Sequence, residues 1–105
     1  MIKIFQINLK KDKDDVVFRG YHIFKKYGIL FEFSIYDEVW SGEIPEAPCN
    51  TEGLDGIFEI FNLYHPENFS GRSLSVSDIV QVIDEPKMKN GFYYCDSIGW
   101  EKLEL

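Results

Sequence analysis

Two stretches of the chain alternate apolar and polar residues with the two-residue period of a β-strand. The first covers about residues 2–9, and its apolar positions are Ile2, Ile4, Phe5, Ile7 and Leu9. The second is LFEFSIY at residues 30–36, which continues toward a turn at residues 41–42. The pattern therefore predicts one strand at the N-terminus and another strand in the second quarter of the chain.

Apolar residues between Val17 and Phe24 recur at the spacing of an α-helix instead. Asp14 or Asp15 suits the N-cap of such a helix, because a carboxylate accepts hydrogen bonds from the first free amides. Gly28 suits the position after the last helical residue, where the backbone often turns left-handed. We therefore expect a first helix between these signals.

A second and more regular helical pattern follows in the middle of the chain. Its apolar positions are Leu54, Ile57, Phe58, Phe61 and Tyr64. Asn50 or Thr51 is available as its N-cap, and His65-Pro66 ends it, because proline cannot continue a helix. This is the strongest helix signal in the sequence.

The last third of the chain has the pattern of a β-meander. Residues 79–83 form a β-branched run with apolar residues on both faces, which predicts an interior strand. The turn pair Asn90-Gly91 joins it to FYYCD at residues 92–96, and a last strand follows from Trp100. The order β-α-β-α-β-β-β predicts a single α+β domain over residues 1–105, with about five strands in a largely antiparallel sheet and two helices.

The composition fits a folded domain and argues against several partners. The chain is 45% hydrophobic and 16% aromatic, which supplies enough apolar surface for a core. Its net charge of −7 argues against direct binding of nucleic acid or of anionic membranes. No stretch resembles a signal peptide or a membrane span, so the cytoplasm is the expected location.

A comb of three serines, Ser73, Ser75 and Ser77, leads into Asp78 and the interior strand. Serine and aspartate side chains bind nearby backbone amides, so this pattern favours a turn that starts a strand. A catalytic serine would need a base, for which only His22 and His65 are available, and no glycine-bracketed nucleophile elbow is present. The structural interpretation is the stronger one.

The sequence predicts no catalytic residue, cofactor or metal site. Cys49, His65, Cys95 and His22 could form a zinc site only if the fold brought them together, because close ligand pairs are missing. Cys95 suits a buried strand position and Cys49 a loop. The many carboxylates form no pair that differs from a solvated surface, and glycine-rich phosphate loops are absent.

Several segments resemble the YodL-like family of small domains from Firmicutes bacteria, which is often carried on conjugative elements and plasmids. The resemblance covers nearly the whole chain and includes FRGYHIFKKYG, YDEVWSGEI and LDGIFEIFNLYHPENFSGRSLSVSDIVQV. Its most specific part is the pairing of RSLSVSDIV at residues 72–80 with YYCDSIGW at residues 93–100. Cys95 and Trp100 stand where valine and phenylalanine are commoner in the family, and both replacements are hydrophobic.

The resemblance implies no established activity and no catalytic residues. It maps the family motif onto Ser75, Ser77, Asp78, Tyr94, Asp96, Ser97 and Gly99. We expect Asp78 and Asp96 to cap turn amides at the ends of adjacent strands. The candidate binding residues are Tyr94, Asp96, Trp100, Ser75, Ser77 and Asp78.

Three functional hypotheses follow. The first is a non-enzymatic interaction module that binds another protein through a surface patch including Tyr94 and Trp100, since aromatic residues are in surplus. The second is an acidic DNA mimic of the antirestriction type, which needs carboxylates in a stripe clear of lysines. A small enzyme that uses Asp78, Asp96 or a histidine ranks last. The sequence gives no oligomeric state.

Overall fold

A computed structural model describes residues 1–48 and 52–105, which form one five-stranded sheet and two α-helices. The elements in chain order are β1 (Ile2–Ile7), α1 (His22–Lys26), β2 (Tyr36–Gly42), α2 (Gly53–Leu63), β3 (Ile79–Val82), β4 (Gly91–Cys95) and β5 (Trp100–Leu103). Two 3-10 helices lie at Leu9–Lys11 and Phe33–Ile35. The predicted α+β class and element order are confirmed.

The strands lie in the order β2-β1-β3-β4-β5, and each neighbouring pair is antiparallel. β1, β3 and β4 are therefore interior strands, and the first two bury apolar residues on both faces, as Ile4 and Phe5 of β1 show. The edge strand β2 has a register irregularity opposite Ile4 and Phe5. Such bulges are common at sheet edges, where they oppose pairing with another chain.

One face of the sheet packs against α2, and we call it the helix face. Its buried cluster is Ile2, Ile4, Trp40, Ile57, Ile60, Phe61, Leu74, Val80 and Val82. The helix forms because its apolar residues recur on one side, and burying each large side chain contributes roughly 1.5–3 kcal/mol. The sequence placed this helix correctly. Its predicted N-cap, Asn50 or Thr51, lies outside the described residues, as does Cys49.

The opposite face, which we call the aromatic face, packs against residues 16–35, the cover segment. Its buried cluster is Phe5, Ile7, Val16, Ile23, Tyr36, Ile79, Tyr94 and Leu103. Within the cover segment only α1 is α-helical, so most of this layer is irregular chain. Aromatic rings meet edge to face here, as Phe5 and Phe33 do with centroids 5.0 Å apart.

The predicted strand at residues 30–36 is wrong in most of its length. Phe33 and Ile35 lie in a 3-10 helix, and β2 begins only at Tyr36. The alternation of aromatic residues here reflects packing onto the aromatic face, since the Phe33 ring also lies 5.5 Å from that of Phe92. β2 then continues to Gly42, as expected.

The first helix is shorter than the sequence predicts, because α1 begins only at His22. The predicted N-cap at Asp14 or Asp15 is wrong. Instead, Asp12 binds the backbone of a turn before the helix. Its two carboxylate oxygens accept hydrogen bonds from the amides of Val16 and Val17 at 2.9 and 3.0 Å. Gly28 has φ +64°, so the predicted left-handed end of the helix is confirmed.

Candidate functional site

Ser77 is the last serine of the comb, and it is fully buried. Its hydroxyl accepts the Phe18 amide at 2.9 Å, and its carbonyl accepts the Tyr36 hydroxyl at 2.6 Å. Its own amide donates to the Cys95 carbonyl at 2.9 Å. Ser77 thus connects β2, β4 and the cover segment at one point.

Tyr94 and Asp96 bind the same part of the cover segment as Ser77. The Tyr94 hydroxyl donates to the Arg19 carbonyl at 2.6 Å, and Asp96 Oδ1 accepts the Tyr21 amide at 3.0 Å. Three residues of the family motif therefore fix residues 18–21 against the sheet. These contacts join positions 59 and 75 residues apart, so local sequence spacing contains no sign of them.

The predicted surface patch of Tyr94 and Trp100 is wrong. Tyr94 is fully buried on the aromatic face, while Trp100 is half-buried and packs against the helix face. Trp100 Nε1 donates to Asp55 Oδ1 of α2 at 3.1 Å. The two aromatic residues belong to opposite sides of the sheet, because Trp100 of β5 pairs with Cys95, and pleating sends the side chains of Tyr94 and Cys95 in β4 to alternate faces.

Asp78 is fully buried where the comb meets β3. Its Oδ2 accepts the Ser75 amide at 2.9 Å and the Gln6 side-chain amide at 3.0 Å. Asp96 similarly accepts the Ser97 amide at 2.8 Å after β4. Both aspartates bind turn amides at strand ends, as the sequence indicates. Ser75 is half-buried, and only its backbone takes part in this turn.

Burial raises the pKa of Asp78 from 3.8 to about 7, against the opposing effects of the Ser75 amide, Gln6 and the Arg72 charge. Asp78 Oδ1 and Arg72 Nε are both buried without a hydrogen-bond partner among the described residues. A charged oxygen without a partner is costly in such a site, which favours the protonated carboxyl. Burial also raises the pKa of the Tyr94 hydroxyl, and it raises that of the Cys95 thiol to about 12.

Phe18 is an exposed residue whose backbone amide is bound by the buried Ser77. Its φ is +66°, a conformation that a bulky residue rarely adopts, and 54% of its surface is exposed. The Arg72 guanidinium lies over its ring, 5.7 Å from the centroid. The sequence interpretation missed Phe18. One signal was present, because Phe18 is a large apolar residue outside the helical pattern that contains Val17 and Tyr21.

Comparison with known protein families gives a match over the full sequence. The family model described as YodL-like domain matches residues 1–105, which is the whole chain. The chain belongs to the YodL-like family. Comparisons with curated proteins and with solved structures gave no match. In this YodL-like domain the side chains of the buried motif residues Ser77, Tyr94 and Asp78 form hydrogen bonds with backbone groups, which accounts for polar side chains at these positions.

Among the residues that the structure describes, one serine and one histidine outside the motif lie close together. Ser73 Oγ and His65 Nε2 lie 3.3 Å apart on the exposed surface, and the ring of Phe69 packs against His65. No acidic group of the described residues orients this histidine, which a serine nucleophile requires of its base. Asp78 is fully buried and so has no access to substrate.

Residues 1–48 and 52–105 contain no cluster of three histidine, cysteine or acidic side chains that could hold a metal ion. They also contain no helix with the length and hydrophobicity to cross a membrane.

Proposed function

We propose that this YodL-like domain is a non-enzymatic protein-interaction module and that Phe18 is the centre of its docking surface. The proposal keeps the first functional hypothesis but moves the surface away from the buried Tyr94. The observation that carries it is an exposed aromatic ring held on a left-handed backbone by buried side chains.

The strain at Phe18 supports a role outside the folded chain. A non-glycine residue in this conformation costs on the order of 1–3 kcal/mol, and such strain persists where the surroundings enforce it. The exposed half of the ring gains little from burial within the domain. Glycine or asparagine would follow the same backbone path with less strain, so stability alone does not explain phenylalanine here.

The fixed backbone also suits recognition. The amides or carbonyls of residues 18, 19 and 21 are each bound by a side chain of the sheet. A docking residue that is ordered before binding loses less conformational entropy when the partner arrives. Aromatic residues and arginine are also the commonest energetic centres of protein interfaces, and Arg72 contacts the Phe18 ring.

The charge distribution gives the DNA-mimic hypothesis little support, and it stays an untested alternative. Lysines interrupt the acidic surface at Lys3–Glu38, Lys11–Asp37 and Lys87–Glu52, with N–O distances of 3.2–3.8 Å. A stripe of carboxylates that imitates phosphates would have few cations among its members. A partner encoded by a mobile element, which the family resemblance implies, is the first to examine.

The test compares Phe18→Asn with Tyr27→Asn. Tyr27 is a matched control, because it is 60% exposed and Lys26 lies 5.3 Å from its ring centroid, yet its φ is −108°. Immobilised wild type, both variants and a blank resin are incubated with lysate of the native host, after circular dichroism has verified folding. A protein captured by wild type and Tyr27→Asn but lost with Phe18→Asn supports the proposal. Equal capture by all three proteins contradicts it.

A further inference from the structure

The chain has only two arginines, of which one follows Phe18 in sequence and the other contacts its ring. Arg19 is its sequence neighbour, and Arg72 comes from the serine comb to stack over its ring at 5.7 Å. The other nine basic residues are lysines, and the net charge is −7. Both arginines are therefore near one exposed aromatic residue of a chain whose net charge is negative.

The two guanidinium groups differ in how they are used within the domain, and Arg72 Nε is buried. Arg72 Nη2 donates to the Ile7 carbonyl at 3.0 Å, and this is the only hydrogen bond of its side chain among the described residues. Arg19 lies 3.4 Å from Asp15 in an exposed pair, with side chains 50% and 82% exposed. Exposed pairs of this kind are weak, so a partner can displace Asp15.

The groups around Phe18 favour a ligand with both apolar and acidic chemistry. The ring offers apolar area, and the guanidinium groups have the planar donor geometry that matches a carboxylate. Asp15 is the one exposed acid that pairs with either arginine among the described residues, and Asp78 near Arg72 is buried. A nucleic acid offers a continuous line of phosphates instead, and the net charge of −7 repels such a ligand more strongly than a short segment with a few carboxylates.

We propose that the Phe18 surface binds an acidic segment of a partner protein, with an apolar side chain of that segment against the Phe18 ring and its carboxylates on Arg19 and Arg72. This inference rests on the proposed function and adds the chemistry of the partner. It predicts a peptide in which aspartate or glutamate flanks a large apolar residue.

The experiment selects peptides from a random displayed library on the wild-type domain and removes those that still bind Phe18→Asn. We expect the remaining sequences to be enriched in acidic residues on either side of an apolar residue. One synthetic peptide from this set is then titrated against wild type, Arg19→Gln, Arg72→Gln and the control Lys26→Gln. Each arginine variant should lose roughly tenfold or more in affinity, as expected for a hydrogen bond to a charged group, while Lys26→Gln binds as wild type.

Arg19→Gln keeps the test independent of folding, because the Arg19 side chain is half exposed and its one side-chain partner among the described residues is the exposed Asp15. Phe18-dependent peptides without acidic enrichment, or with unchanged affinity for Arg19→Gln, would overturn the acidic partner and leave the proposed function intact. A selection that yields no Phe18-dependent peptide would overturn both. Arginine-dependent binding of a labelled oligonucleotide in place of peptides would overturn the protein partner in favour of phosphate.

Discussion

The two faces of the sheet are covered in different ways. On the helix face, α2 buries Ile57, Ile60 and Phe61, and its own helical hydrogen bonds satisfy most of its backbone. On the aromatic face, most of the cover segment is irregular and leaves backbone groups without helical partners. Buried side chains of the sheet supply those partners, as Ser77 does for Phe18.

The difference explains why the motif contains polar residues in a hydrophobic core. A buried backbone amide or carbonyl without a partner costs about as much as a lost hydrogen bond, so an irregular layer needs polar side chains beneath it. Ser77, Tyr94 and Asp96 have this role for the cover segment. A helix packed on a sheet has no such need, and the buried residues of α2 are accordingly Gly56, Ile57, Ile60 and Phe61, none of them polar.

The largest predicted effect lies on the helix face. Phe61 is fully buried, and its ring contacts those of Trp40 and Phe69 with centroids 5.0 and 5.1 Å away. Phe61→Ala should lower the free energy of unfolding by about 3–5 kcal/mol, because it removes apolar contacts and leaves a cavity. Urea denaturation followed by circular dichroism measures it. A loss below about 1 kcal/mol would show that packing on this face is not the main source of stability.

The next effect is a dependence on pH that comes from Asp78. Its pKa is 3.8 in the unfolded chain and about 7 in the fold, so between these values the folded state binds a proton that the unfolded state has lost. The contribution of Asp78 to stability is therefore fully present below about pH 4, falls as the pH rises toward 7, and levels off above. At about 1.4 kcal/mol per pH unit, the fall is at most roughly 4 kcal/mol.

Asp78→Asn tests this, because asparagine does not titrate. Urea denaturation gives the unfolding free energy of wild type and variant across this pH range. The value for the wild type minus that for the variant should decrease as the pH rises, because the wild type loses the contribution of Asp78 and the variant has no such group to titrate. Other titrating groups cancel in this difference. An equal slope for the two proteins would mean that Asp78 is ionised in the fold at all these pH values.

The smallest stability effect concerns a single hydroxyl on the aromatic face. Tyr94→Phe keeps the ring in the core but leaves the Arg19 carbonyl without its donor. We expect a loss of about 1–2 kcal/mol in unfolding free energy, well below that of Phe61→Ala. Thermal unfolding of the two variants gives the comparison. A loss as large as that of Phe61→Ala would mean that this hydroxyl supports more than one backbone group.

The same contrast between the faces explains what the sequence could predict. The apolar residues of α2 repeat regularly because the helix packs along one side, so its position was clear. In the cover segment, Phe31 and Phe33 are spaced as in a strand, yet each ring packs onto aromatic neighbours from other elements. No local period describes such packing.

The candidate site shows a similar limit. Asp78 and Asp96 were placed correctly as strand-end caps, because their partners lie within three residues. Tyr94 was expected at the surface because aromatic residues outnumber what a small core needs, but counting residues does not say which ones are exposed. Phe18 emerged only with the fold, since its amide partner Ser77 is 59 residues away.

The central claim is that buried motif side chains fix the backbone that presents Phe18, and amide hydrogen exchange in Ser77→Ala tests it most directly. Ser75→Ala is the control, because the Ser75 hydroxyl has no hydrogen-bond partner among the described residues while its backbone lies in the same turn. We predict that Ser77→Ala speeds exchange of the Phe18 amide about tenfold or more and leaves the amides of α2 protected. Unchanged exchange at Phe18, or an equal change in Ser75→Ala, would contradict the account.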